Sequence, residues 1–193
     1  NVIVFTEKEE EAKSITANAE LISLLDFGQI SRLDTYAKTV SNSSAAKVMI
    51  DHHQEPDESI SDLLFSDVTA CATAQVVFEI IQELGYSHLI NKDVAECLYA
   101  GIMTDTGSFK YASTTEKTHR IIAELIAKGA DNAKIHDLVY DNFSDNRLKL
   151  LGYCLNQKLQ IFKENKAAII SLDSEELEKF NFQKGDTEGV VNY

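Results

Sequence analysis

Lys47-Val48-Met49-Ile50-Asp51-His52-His53 is the stretch on which the reading of this chain turns. A short apolar, β-prone run passes without a break into an aspartate and two histidines. A buried strand packs apolar side chains and has no packing use for three adjacent ionisable ones. Three potential ligands or proton carriers at a strand end suit a metal-dependent hydrolytic site better than a packed core.

Outward from that stretch, strand and helix patterns alternate. Residues 2–5 read as a strand, 7–17 as a charged helix, and 20–26 as a second strand ending on Asp26. Residues 30–40 read as a helix, 46–50 as the strand that leads into Asp51, and 63–65 as a weaker fourth strand. This order predicts an α/β fold, a parallel sheet flanked by helices. Helices then dominate. Val76, Val77, Ile80, Ile81 and Leu84 recur at helical spacing over 73–84, and Gly85 supplies the stop. A helix over 92–104 follows. Ser113-Thr114-Thr115-Glu116 matches a capping box for the next helix, which ends near Gly129. Short and longer helices follow over 133–140 and 144–156, the latter with Leu148, Leu151 and Leu155 on one stripe. After residue 156 the pattern changes to a strand pair, 158–162 and 167–172, and a short helix over 174–180. The expected organisation is a first domain over 1–143, a connector helix over 144–157, and the start of a second, smaller α/β domain over 158–193. The chain opens on Asn1 directly before a strand-like run and closes abruptly after Gly189-Val190-Val191-Asn192-Tyr193, so further segments are expected on both sides.

The 193 residues are 44% hydrophobic and 25% charged, an ordinary globular composition that excludes a disordered chain. No apolar run approaches membrane-spanning length. The formal net charge of −13 disfavours non-specific binding of long nucleic acid, which needs a basic track along the phosphates. A small anionic substrate remains compatible where bound cations reverse the local sign. The three cysteines, Cys71, Cys97 and Cys154, are widely spaced and suit reduced thiols in a cytoplasmic protein. Cys97, in a helical apolar run, reads as a small core residue.

Asp26 and Asp51 each follow a strand at its C-terminal end, the edge where open parallel α/β sheets bind ligands. With His52 and His53 they form a mixed carboxylate and imidazole set, which suits Mn²⁺, Fe²⁺, Co²⁺ or Zn²⁺; carboxylates alone would lean to Mg²⁺. Asp105 closes the helix that begins near Lys92, and a cation is favoured at that negative helix end. Gly107 offers the left-handed exit. Asp26, His52 and Asp105 are therefore expected to converge from three segments. Cys71-Ala72-Thr73 opens a helix whose N–H groups, with the Thr73 hydroxyl, suit a phosphate, although an ordinary cap explains the same residues. His88, His119 and His136 stand in polar surroundings and read as surface residues.

Val48-Met49-Ile50-Asp51-His52-His53 resembles the signature of the DHH phosphoesterases. Asp26, in Leu24-Leu25-Asp26-Phe27, falls at that family's isolated motif aspartate, and Thr104-Asp105-Thr106-Gly107-Ser108-Phe109-Lys110-Tyr111 resembles its later motif. Arg147-Leu148-Lys149-Leu150-Leu151-Gly152 is similar to its inter-domain connector. The stretch from Gly185 to Tyr193 resembles the opening of the DHH-associated domain, DHHA1, in the branch of bifunctional oligoribonucleases and 3′-phosphoadenosine 5′-phosphate phosphatases. The resemblance implies a hydrolase with a dinuclear site, usually Mn²⁺, with Mg²⁺ or Co²⁺ as alternatives. Asp26 would bridge the ions, His52 and Asp105 would each bind one, Asp51 would orient a histidine, and His53 would contact the phosphate or assist the leaving group. The implied substrates are short oligonucleotides or an adenosine 3′,5′-bisphosphate, with no membrane and no long duplex nucleic acid as partner; a homodimer is left open. Cyclic dinucleotide phosphodiesterases and RecJ-type exonucleases share the chemistry, and a non-catalytic nucleotide or metal sensor is the rival from another class. The family's first motif, a histidine with closely spaced aspartates, and the glycine-rich histidine loop of DHHA1 are not in this sequence. They are expected before Asn1 and after Tyr193.

Overall fold

The computed structural model describes residues 2–192, the Asn192 side chain excepted; the last position of the Gly185-to-Tyr193 motif lies outside the described residues. The chain divides into two compact units, 1–135 and 136–193.

In the first unit, α1 (Glu9–Ala17) precedes β1 (Leu21–Leu25). A 3-10 segment (Ile30–Tyr36) and α2 (Ala37–Ser41) then lead to β2 (Ala46–Asp51) and β3 (Leu63–Ser66). The strands form one parallel sheet in the order β1-β2-β3. Its register aligns Leu24 with Met49 and Met49 with Leu64, so one row of apolar side chains crosses the sheet on one face. That row packs on Val40 of α2, with Phe27, Ile30, Leu33, Tyr36 and Ile60 closing around it. Burying Met49 completely contributes on the order of 2 kcal/mol. A second layer is helical: α3 (Thr73–Glu83), α4 (Lys92–Asp105) and α5 (Glu116–Ala127) pack on one another. Phe78, Ile102, Met103 and Leu125 are its large fully buried apolar side chains. α6 (Asn132–Val139) runs across the division between the units.

The second unit holds α7 (Asp145–Tyr153), a π-helical turn (Cys154–Lys158), the antiparallel pair β4 (Gln160–Phe162) and β5 (Ala167–Ile169), and α8 (Ser174–Lys179). The expected connector helix is thus continuous with the second compact unit. Glu176 ties this unit together: it accepts from Lys158 Nζ at 2.7 and 2.9 Å and from the Tyr153 hydroxyl. It also closes the α8 capping box with Asp173.

Five local expectations are corrected. Residues 2–5 form no strand. Among the described residues no strand pairs with them, and the Val4 carbonyl instead accepts from Glu7 and Lys8 N–H at 3.0 Å, turning the chain into α1. The segment 30–40 is not one helix; a 3-10 segment, itself kinked at Asp34 (φ 48°, ψ −125°), precedes α2. The α5 capping box is made by Thr115 with Thr118, because Thr115 is the residue with extended backbone at the entry. Cys97 is exposed and Leu148 is 51% exposed, whereas Leu150 and Cys154, four residues apart, are the buried stripe of the second unit's helix.

Candidate metal centre

Parallel strands all end on the same edge, and the loops that leave them carry the ionisable residues. Asp26 follows β1 directly, and its N–H still donates to the Ile50 carbonyl at 3.2 Å. The ladder then breaks, because Asp26 turns into the left-handed region (φ 66°), which a short polar side chain tolerates. Asp51 ends β2, and His52 and His53 follow it off the sheet. The chain returns through β3 and the Asp67 turn into α3, whose first residue, Thr73, is thereby set at the same edge.

Asp51 is fully buried and holds the edge together. One carboxylate oxygen accepts from the His53 main-chain N–H at 2.6 Å and faces His53 Nδ1 at 2.7 Å; the other accepts from the Gly28 N–H. Burial pushes this carboxyl up, but the His53 and Gly28 hydrogen bonds outweigh it and hold it below the usual range. An ionised Asp51 offers only acceptors, so His53 Nδ1 carries the proton and Nε2 presents a lone pair. Gly28 (φ 57°) is the left-handed residue that turns its N–H inward.

His52 is fixed differently. Its Nδ1 lies 3.2 Å from the Ala70 carbonyl, which can only accept, so Nδ1 donates. The bare Nε2 then faces two carboxylates, Asp26 Oδ1 at 3.7 Å and Asp105 Oδ2 at 3.6 Å. Three acceptors facing one another repel unless a proton or a cation stands between them. Asp105 reports this repulsion: burial first, then the Asp26 charge, raises its carboxyl above the usual range. Ligand atoms sharing one ion at about 2.0–2.2 Å stand roughly 3–4 Å apart, and these separations match. Asp26, His52 and His53 can each offer one ligand atom, all within 4.8 Å of one another. Carboxylate and imidazole together fit a transition-metal dication of the Mn²⁺ to Zn²⁺ range.

Asp105 reaches the centre as the last residue of α4. Buried Thr106 ends that helix by bonding back to the Ile102 carbonyl at 2.6 Å and accepting from Phe109 N–H at 3.0 Å. Gly107, Ser108 and Phe109 all adopt positive φ (55°, 60° and 65°), which folds the loop tightly after the aspartate. Thr73 is buried, and its hydroxyl donates to Asp26 Oδ1 at 2.8 Å, so its proton faces the carboxylate. Two residues at this edge escaped the sequence reading. Gly28 carried a faint signal, a glycine two positions past a strand-end aspartate. Arg32, whose Nη1 lies 3.4 Å from His53 Nε2, carried none, because its reach depends on the 3-10 geometry.

The arrangement has counterparts among known proteins. The family model of the DHH family, N-terminal domain, matches residues 2–102. The bifunctional oligoribonuclease and PAP phosphatase NrnA of Bacillus subtilis is 31% identical over 94% of this chain and 56% of its own length. A probable bifunctional oligoribonuclease and PAP phosphatase NrnA of Streptococcus mutans is 34% identical over 75% of this chain and 45% of its own. The crystal structure of an exopolyphosphatase-related protein from Bacteroides fragilis superposes with a TM-score of 0.94 at 38% identity, over 99% of this chain and 56% of that one. The chain thus spans about half the length of the relatives it matches. With its strand-end aspartates, its paired histidines and a family match over more than half its length, the chain belongs to the DHH family.

Proposed function

We propose that this chain carries part of the active centre of a metal-dependent phosphoesterase that hydrolyses short oligonucleotides, 3′-phosphoadenosine 5′-phosphate, or both. One observation carries the reading: His52 Nε2, its lone pair fixed by the Ala70 carbonyl, faces the Asp26 and Asp105 carboxylates. Among the described residues, no lysine or arginine forms an ion pair with either aspartate, so a dication is the natural counter-charge. The substrates are those in the names of the B. subtilis and S. mutans relatives.

Asp26, His52 and Asp105 would hold the metal, Mn²⁺ being the first choice. A bound dication supplies Lewis acidity toward water and toward a phosphoryl oxygen. Asp51 keeps its charge, fixes the His53 ring and keeps the proton on Nδ1. His53 Nε2 faces outward, where it accepts a proton or, once protonated, donates to the phosphate or the leaving oxygen. Thr73 steadies Asp26. Residues 158–193 would begin the substrate-binding DHHA1 domain, with 144–157 as its connector. The three free cysteines suit the reducing cytoplasm.

The test is turnover by the full-length protein, in Mn²⁺, of a dinucleotide and of 3′-phosphoadenosine 5′-phosphate. His52→Ala should cut activity at least about a hundredfold. No turnover of either substrate by the unsubstituted protein would sink the reading.

A further inference from the structure

Among the described residues, Arg32 is a cation without a carboxylate partner, in a chain of 31 acidic against 18 basic residues. It enters no salt bridge there, and what sets it apart from other unpaired cations is its place beside His53. Its one described side-chain contact is the long approach of Nη1 to His53 Nε2, at 3.4 Å. That leaves most of the five guanidinium N–H donors unspent beside the metal centre.

Its backbone is anchored. In a 3-10 turn residues three apart share a face, and Ile30 and Leu33 spend that face on the Leu24–Val40–Met49 core, which Tyr36 joins beyond the Asp34 kink. Arg32 therefore stands on the outer face, exposed. Two cross-ties hold this segment to the loop beyond the histidines: Gln29 Nε2 donates to the Glu55 carbonyl at 2.7 Å, and Asp57 N–H donates to the Gly28 carbonyl at 2.7 Å. The guanidinium is thus set on a fixed base over His53.

We infer that Arg32 is a substrate-binding residue whose guanidinium takes a non-bridging oxygen of the phosphoryl group lying against His53. This rests on the phosphoesterase reading above. The chemistry fits: the edge presents three aspartates, a phosphate ester approaching it meets repulsion, and a planar cation with a free fork is the group that binds phosphate in two-point fashion. The contact with His53 is long enough to yield to a charged oxygen.

Arg32→Ala and Arg32→Gln in the full-length protein test it. Both should raise KM for whichever nucleotide is turned over by about ten- to a hundredfold, with Mn²⁺ affinity unchanged. Arg32→Lys should restore part of the loss. Inorganic phosphate, titrated into each protein in Mn²⁺ buffer, should bind more weakly to the Ala and Gln variants by a similar factor. An unchanged KM and unchanged phosphate affinity would overturn the assignment. So would a fall in kcat at constant KM with a displaced pH profile, which would make Arg32 a residue that only positions His53. If the unsubstituted protein turned over neither nucleotide, the phosphoesterase reading would fail, while the phosphate titration would still decide Arg32.

Discussion

At the scale of the residue, the edge is organised by hydrogen bonds that leave little choice of protonation state. The Ala70 carbonyl sets one histidine and Asp51 sets the other, each through Nδ1, so two adjacent imidazoles both turn Nε2 away from their anchors. Thr73 extends this logic to the carboxylate side. Its hydroxyl is the donor that fixes Asp26 Oδ1, and groups that orient a ligand typically contribute ten- to a hundredfold to metal affinity. Thr73→Val, which keeps the shape and loses the donor, should weaken Mn²⁺ binding by about that factor in calorimetric titration. Thr73→Ser should bind nearly as well as the natural residue. Equal affinity in Val and Ser variants would remove Thr73 from the centre.

At the scale of the element, the centre depends on how closely α3 and α4 approach. A Cβ at Gly101 would stand 2.8 Å from the Ala74 Cβ, and neither atom can swing aside, since each is bonded directly to a helix backbone. α3 begins with Thr73, which steadies Asp26, and α4 ends with Asp105. Gly101→Ala should therefore force the helices apart, costing about 1–3 kcal/mol in denaturant melts and lowering Mn²⁺ affinity as well. A variant with unaltered stability would show that the helices yield freely. The same elements mark how far a sequence alone can be read. Strand-helix alternation placed Asp26 and Asp51 at one edge, because parallel strands can only end together. Asp105 was visible as a helix-end acid. The failures share a different cause, partners remote in sequence. Whether residues 2–5 form a strand depends on a neighbour to pair with, and the apolar run around Cys97 does not say which side of its helix faces the core. Arg32 is hidden for the same reason: an α-helical reading of 30–40 assigns its faces at the wrong period, 3.6 rather than 3.0 residues per turn.

At the scale of the whole molecule, the two units respond to acid through different groups. In the second, Glu176 is drawn down to about 2, first by Lys158, then by Tyr153 and the Asp173 main chain. A depressed carboxylate stabilises the folded state fully above its unfolded value, 4.5, and the contribution fades as pH falls from there toward about 2. Glu176→Gln should make this unit less stable at neutral pH and flatten its acid dependence over that window, read from the Tyr153 and Lys158 resonances. An identical acid profile in the two proteins would contradict the pairing. In the first unit the Leu24–Met49–Leu64 row lies on one face of the sheet, and the candidate metal centre lies past the strand ends. Stability and reactivity are thereby written in separate residues, with the buried Asp51 as the point where they meet. A lineage built on this sheet can exchange one reaction for another by altering the loop that leaves each strand, while the row that folds it stays untouched.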